Sequence, residues 1–335
     1  MVDAHSSINP YGGEYAHYPS VDTEELRAKY VDFLQAECRE RHGDGVGTLL
    51  TPENVLLTAG SGAALELIFR AFLDPAQRDQ ICITSPAFQL YAHQARLMDL
   101  GIVDVPLQGQ HLDTLHFDGI AAASAKVTFL CSPNNPIGTT LTLQAIQQVL
   151  ERAKGIVVVD EAYIEFAKQG SAASLVLRYP NLIVTRTFSK AWGLAGVRAG
   201  AVIADPLVVR TLSLVQLPFS LSAAAKLALE QKLTDPASVL ETVAVLNSNK
   251  NRLAKQLAQI AVVRRVFPSD ANFLLVEVPD GNDVYERLIQ QGLLVTHAGW
   301  AVPNTLRLSI GTEADCEKLV TCFTQISATQ GGPIK

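Results

Sequence analysis

Lys190 stands in the run Thr187-Phe188-Ser189-Lys190-Ala191-Trp192-Gly193-Leu194-Ala195-Gly196-Val197-Arg198, which gathers hydroxyls, an amine and a guanidinium after an apolar stretch. A lysine flanked by Phe188, Trp192 and Leu194 is expected to be partly desolvated. Desolvation lowers an amine pKa and makes it nucleophilic. Arg198 suits a phosphate, because a guanidinium offers paired N–H donors. The plain alternative is a lysine at a solvated turn. Three other segments carry comparable chemistry. Ala59-Gly60-Ser61-Gly62-Ala63-Ala64-Leu65-Glu66 is a Gly-rich turn opening a helix, where free backbone N–H groups can hold a phosphate; it reads equally as an ordinary helix cap. Ser132-Pro133-Asn134-Asn135-Pro136-Ile137-Gly138 is a turn made rigid by two prolines and a glycine, and it can present an Asn amide to a ligand. Asp160-Glu161-Ala162-Tyr163 puts a carboxylate at the end of an apolar run, as a metal ligand, a general base, a partner for a cation or a solvated turn.

The elements that must position these groups are legible as alternation. Short apolar runs at Ile81–Thr84, Val127–Leu130, Ile156–Val159, Leu182–Thr185 and Ala199–Ile203 are separated by longer helical patterns. Such runs read as buried parallel strands with helices over both faces, and the alternation predicts an α/β fold with a mostly parallel sheet. Ligands of such sheets bind beyond the carboxyl ends of the strands, where the four segments fall. The first twenty residues, rich in Gly, Pro, Ser and Tyr, read as an irregular arm. A helix pattern follows from Val21 to Arg41, with Leu26, Tyr30, Phe33 and Leu34 on one face, Ser20 or Asp22 as its cap and Gly43 after its end. Thr234-Asp235-Pro236 breaks an Ala-rich helix pattern. Beyond it, strand-like Asn272–Val276 and Leu306–Ile310 with another long helix predict a smaller α+β domain. The expected division is an arm over 1–20, a large domain over 21–235 and a small one over 236–335.

Composition narrows the classes of function. Of 335 residues, 48% are hydrophobic and 18% charged, and the net charge of −6 comes without any basic run. That argues against a nucleic-acid or anionic-membrane partner. Cys38, Cys82, Cys131, Cys316 and Cys322 match no zinc spacing and read as reduced thiols of a cytoplasmic protein. The seven histidines show no His-x-x-x-His spacing, so no metal is expected. No signal peptide and no membrane-spanning run are evident in the chain.

Taken in order, the Gly-rich turn, the Asn-Pro turn, Asp-x-x-Tyr, and Ser-Lys with a later Arg resemble the fold-type I aminotransferases that depend on pyridoxal 5'-phosphate (PLP). The resemblance runs over almost the whole chain. Tyr18-Pro19 with Leu26-Arg27, Ser132–Gly138, Asp160–Phe166, Ser189–Gly200 and Leu306-Arg307 through Gly311-Thr312 are most similar to the histidinol-phosphate aminotransferase branch. The resemblance implies a seven-stranded sheet and a small domain, PLP as cofactor, amino-acid and 2-oxo acid substrates, and a homodimer with shared active sites. Carried over by residue, Lys190 forms the Schiff base with the cofactor and later shuttles the proton. Asp160 pairs with the ring nitrogen, and Asn135 and Tyr163 bond the ring hydroxyl. Ser61, Gly62, Ala63, Thr187, Ser189 and Arg198 hold the phosphate. Phe88 stacks on the ring, with Tyr91 the competing candidate. Arg307 binds the substrate carboxylate, Asn272 supports it, and Tyr18 reaches the site of the neighbouring subunit.

The chain departs from that branch at the substrate end. The family's arginine shortly before the Leu-Arg strand, which binds the substrate phosphate, is replaced within Gly292-Leu293-Leu294-Val295-Thr296-His297 by Thr or His. In the arm, Ser7-Ile8-Asn9-Pro10-Tyr11-Gly12 carries Ile8 in place of a Glu, and the helix that usually follows is missing. The Gly-rich turn has Gly62-Ala63 in place of an acidic pair. Two other readings stand beside amino transfer. One is a PLP-dependent decarboxylase similar to the threonine-phosphate decarboxylases, which share the cofactor motifs. The other is a non-catalytic protein that kept the fold, against which the presence of both Lys190 and Asp160 argues.

Overall fold

The computed structural model describes residues 7–9, 11–13, 16–42 and 49–330. Pro10 of the arm motif and Gly43 after the first helix lie outside the described residues, as do the ends of the expected arm and small domain.

Seven short strands make the main sheet: β1 (Val55–Thr58), β2 (Gln80–Ile83), β3 (Gly101–Asp104), β4 (Val127–Cys131), β5 (Ile156–Asp160), β6 (Leu182–Thr187) and β7 (Gly200–Ala204). Their order is β1-β7-β6-β5-β4-β2-β3. β3, β2, β4, β5 and β6 run parallel, while β7 is antiparallel to both its neighbours. The apolar runs are strands, but the one at Ala199–Ile203 is not parallel as read. The reason lies in its connection. A parallel return needs a crossover of a dozen or more residues, usually a helix. The twelve residues between β6 and β7 form turns and one short 3-10 helix, with no α-helix to carry the chain back across the sheet, and they fold directly back. β1 and β3 were not among the runs read from the sequence; β3 is a half-exposed edge and lacks the continuous apolar run of a covered strand.

Seven helices accompany this sheet: α1 (Glu24–His42), α2 (Ser61–Phe72), α3 (Leu90–Leu97), α4 (Phe117–Ala123), α5 (Leu143–Arg152), α6 (Pro206–Val215) and α7 (Ala223–Leu233). The helix read from Val21 starts at Glu24, with Asp22 Oδ1 accepting from the Glu24 N–H at 2.8 Å. Strand side chains alternate between two cores. Val157 and Val159 join Leu34, Leu150 and Leu229 on one face. Val158 joins Leu65, Tyr91 and Leu212 on the other. Both faces are covered, so the central strands are apolar throughout.

α8 (Pro236–Leu257) begins where the sequence breaks: Asp235 caps it by accepting from the Ser238 N–H, with Pro236 in the first turn. Its start packs on the main sheet through Val239 and Val243. Its end, through Leu253 and Leu257, joins a third core with Leu274, Leu288 and Phe323. That core lies under a second sheet, β8 (Arg265–Val266), β9 (Phe273–Glu277), β10 (Thr296–His297) and β11 (Thr305–Ser309), with α9 (Gly281–Gln290) and α10 (Glu313–Gln330). Its order is β10-β11-β9-β8, antiparallel throughout. No described helix is long and apolar enough to cross a membrane.

Candidate active site

The parallel strands deliver their polar ends to one edge. Asp160 is the last residue of β5, Thr187 the last of β6, and Lys190 follows three residues later. Asp160 is buried, and burial pushes its carboxyl above the usual range, against a hydrogen bond donated by Tyr91 Oη to Oδ2 at 2.7 Å. Its other oxygen, Oδ1, is buried and lacks a hydrogen-bond partner among the described residues. Lys190 Nζ lies 5.5 Å from the centre of the Tyr163 ring. Burial lowers its amine pKa, repulsion from Arg307 and Arg198 adds to the shift, and Asp160 opposes it.

The source of that desolvation differs from the sequence reading. Phe188 and Trp192 do not wall the amine. They point into the core, against Tyr30 and Phe33, and Trp192 Nε1 donates to Glu165. Residues 188–192 form turns and not a strand, so nearness to Lys190 in sequence does not put a side chain beside its amine. Tyr163 stands there from β5's extension.

Beside the lysine, Ser61, Gly62 and Ala63 form the first turn of α2, with Gly60 at φ +89° before it. A Cβ on Gly60 would stand 2.7 Å from Arg198 Nη2. One on Gly200 would stand 2.5 Å from the Ser61 nitrogen. Two glycines thus let β7 and the Arg198 fork close on the helix start. Arg198 itself is left-handed at φ +60°, and its Nη1 bonds the Ala195 carbonyl at 3.0 Å and Ser189 Oγ at 3.3 Å. Thr187 and Ser189 share a 2.9 Å hydroxyl bond. The unspent N–H groups at the α2 start, two hydroxyls and a guanidinium make a cup for an anion.

Asn135 leaves the 132–138 turn toward the second sheet. Neighbouring bonds fix the turn: Asn134 Nδ2 donates to the Pro86 carbonyl at 2.9 Å, and the Leu141 N–H donates to Ser132 Oγ at 2.9 Å. Asn135 Oδ1 accepts from Arg307 Nη1 at 2.6 Å. Arg307 comes from β11, its guanidinium 5.1 Å from the Phe273 ring centre, and its Nη2 reaches Thr296 Oγ1 at 3.3 Å. Phe273 in turn meets the Tyr163 ring edge-on at 5.2 Å. Burial pushes the Tyr163 hydroxyl up to about 12, so it stays a donor. Asn272 is half-buried immediately before β9, next to Phe273.

Phe88 is half-buried and faces a cleft of about 1040 Å³ shared with Leu90, Leu107, Trp300 and Val302. Tyr91, the competing candidate for ring stacking, is fully buried in α3, its ring stacked on Phe129 at 4.9 Å. It has no open face for a ligand; its link to the site is the bond to Asp160, a role without any local sequence signal. Tyr18 is 62% exposed and stacks on Phe219 at 4.8 Å, apart from the groups above.

These residues fit the cofactor that the resemblance implies. A buried carboxylate oxygen without a partner is costly unless a ligand donor meets it, and the protonated ring nitrogen of PLP is such a donor. The glycine-bounded cup suits its phosphate, and the lowered amine of Lys190 suits its aldehyde. Among the described residues, no group of three or more His, Cys, Asp or Glu side chains is placed to hold a metal ion.

Comparison with known proteins agrees with the geometry. The model of the family "Aminotransferase class I and II" matches residues 8–323. A histidinol-phosphate aminotransferase of Xylella fastidiosa is 38% identical over 288 residues, covering 83% of this chain and 79% of that protein. The crystal structure of the histidinol-phosphate aminotransferase from Clostridium acetobutylicum superposes with a TM-score of 0.82 at 20% identity, over 94% of this chain and 92% of that one. That from Sinorhizobium meliloti in complex with pyridoxal-5'-phosphate gives 0.78 at 20% identity, over 95% and 85%. With a family model spanning nearly its whole length, this chain belongs to the class I and II aminotransferases.

Proposed function

We propose that the protein moves an amino group from an α-amino acid to a 2-oxo acid, with PLP seated between Phe88 and the ends of β5 and β6. The observation that carries this is the buried Oδ1 of Asp160, without a hydrogen-bond partner among the described residues, beside the lowered amine of Lys190. When bound, the cofactor supplies an electron sink for the carbanion left at the substrate Cα. The chain's residues do the rest. Asp160 holds the ring nitrogen, and Asn135 and Tyr163 offer bonds to the ring hydroxyl. Ser61, Gly62, Ala63, Thr187, Ser189 and Arg198 anchor the phosphate. Lys190 would take the proton from the substrate Cα at its Nζ and return it to the carbon that was the cofactor's aldehyde. Arg307 takes the substrate carboxylate through its fork, supported from Asn272.

A second reading is histidinol phosphate as donor, the substrate in the names of relatives 38% identical. Against it stands Thr296, paired directly across from Arg307 on β10. The position offers a hydroxyl where a second cation would grip a phosphate, so the anion end presents one guanidinium. Spectral titration with single donors and no acceptor separates the two. Bleaching of the yellow enzyme by amino acids alone supports the first; bleaching by histidinol phosphate at far lower concentration overturns it.

The assembly proposed is a cytoplasmic homodimer in which Tyr18 reaches the partner's cofactor phosphate. Tyr18 lies stacked on Phe219 on a surface where Leu214 and Leu217 are also exposed, and the five cysteines are buried free thiols. The proposed division remains an arm over 1–20, a large domain over 21–235 and a small one over 236–335. Sedimentation equilibrium checks the assembly; a monomer with full activity contradicts it.

A further inference from the structure

Tyr91 contributes neither its ring face nor its edge to the site, yet its hydroxyl ends on Asp160. A column of rings fixes it there. Phe69 stacks on Phe129 at 5.3 Å, Phe129 stacks on Tyr91 at 4.9 Å, and Phe88 meets Tyr91 edge-on at 5.8 Å. The Tyr91 N–H bonds the Phe88 carbonyl at 3.3 Å, so one turn sets both residues. We propose that Tyr91 is a positioning residue for Asp160: its O–H holds Oδ2 and favours the charged carboxylate, leaving Oδ1 to the cofactor ring nitrogen.

The need for such a clamp follows from burial. A carboxyl in an apolar, enclosed place drifts toward its neutral form. A neutral Asp160 no longer offers an ion pair to a protonated ring nitrogen, so the cofactor would lose its strongest polar anchor away from the phosphate. A hydrogen bond donated to the charged form pulls the other way. The Tyr91–Asp160 distance of 2.7 Å is that of a full O–H···O hydrogen bond, which a charged oxygen accepts more strongly than a neutral one.

The groups facing Asp160 come from α3, β4, the β5 extension, β6 and the lysine segment: Tyr91, Cys131, the Ala162 N–H, Tyr163, Thr185 and Lys190. Burial pushes the Cys131 thiol and the Tyr163 hydroxyl up to about 12 and Tyr91 well above its usual range. None of these three loses its proton near neutrality. Asp160 itself acts on the Lys190 amine, so the effect of Tyr91 is read by comparing Tyr91→Phe in the wild-type background with the same change in the Asp160→Asn background.

The proposal rests on Asp160 pairing with the ring nitrogen, and the test separates the two ideas. PLP dissociation constants are measured by equilibrium dialysis from about pH 5 to about pH 9 for the wild type, Tyr91→Phe, Asp160→Asn and the double variant. Phe keeps the ring column. Tyr91→Phe is expected to match the wild type at the alkaline end and to bind on the order of tenfold more weakly at the acid end. Sign: without the donor, the Asp160 pKa rises, so the acid limb of binding moves to higher pH. In the Asp160→Asn background the same change should have no further pH-dependent effect. An even loss at every pH, or no loss, with Asp160→Asn still impaired, overturns the clamp alone. Wild-type binding in Asp160→Asn overturns the role of Asp160 and the clamp together. Tyr91→Leu, which also lacks the donor and does not titrate, carries the test if the Phe variant does not fold. It should show the same weakening confined to the acid end, and an even loss or none overturns the proposal.

Discussion

Lys190 and Arg307 show what a single side chain reveals in sequence and what it hides. The lysine stands out by its company of hydroxyls and Arg198, and the resemblance of its segment pointed to its role. Its actual wall, Tyr163 over the amine, was invisible locally because it comes from another strand. Replacing Lys190 by Ala is expected to abolish turnover while Arg198 and Asp160 still retain cofactor; turnover assays and dialysis check both. Arg307→Ala should raise KM on the order of a hundredfold for every amino-acid donor, because the lost contact is a charge-assisted fork to a group all share. Steady-state kinetics over several donors test it, and an effect confined to one donor contradicts the assignment. Thr296→Arg adds a cation beside Arg307, bonded to it at 3.3 Å in this chain. It should lower KM for a phosphorylated amine relative to unphosphorylated amino acids; an unchanged ratio rules out position 296 as the selector.

At the scale of elements, the site is a product of strand ends and one tight approach. Apolar runs announced β2, β4, β5, β6 and β7 because central strands are covered on both faces. Direction was not legible for β7, since period and composition do not record which way a strand runs. The Gly60 turn was legible as a helix start; its closeness to Arg198 was not. Gly60→Ala would place a methyl 2.7 Å from Arg198 Nη2 at a residue with φ +89°. Folding stability should fall by more than about 1 kcal/mol, and PLP affinity should fall with it because the fork is displaced. Urea unfolding and cofactor dialysis measure the two effects; wild-type affinity would mean that Arg198 is not part of the phosphate cup.

Across the whole molecule, a buried charge cluster ties the back of the site to α1. Arg186, one residue before Thr187, contacts Glu37 at 2.7 Å, Glu161 at 3.1 Å and Glu165 at 3.7 Å. Glu161 follows Asp160, and Glu165 accepts from Trp192 in the lysine segment at 3.2 Å. No sequence signal marked this cluster, because glutamates spread over distant segments read as surface residues. Removing one member of such a group leaves charge buried without its partner, so Arg186→Met should cost about 3–5 kcal/mol of stability, read from urea unfolding. Burial pushes the Glu165 carboxyl up to about 7 from 4.5. The folded chain therefore holds this proton more tightly than the unfolded one. Its stability contribution is full below about pH 4.5 and is lost as pH rises through about 7. Glu165→Gln should flatten that part of the stability–pH curve, and an unchanged slope contradicts the shift.

The claim on which everything else depends is that Lys190 holds the cofactor. Borohydride reduction of the PLP-loaded protein, followed by digestion and peptide mass mapping, tests it directly. Another amine provides the comparison: Lys250, buried in α8, donates to the Ala271 carbonyl at 2.8 Å, and burial brings its pKa down to about 8. The account predicts one reduced adduct, on the peptide carrying Lys190. An adduct on Lys250 or another lysine, or none on a protein saturated with PLP, would contradict it.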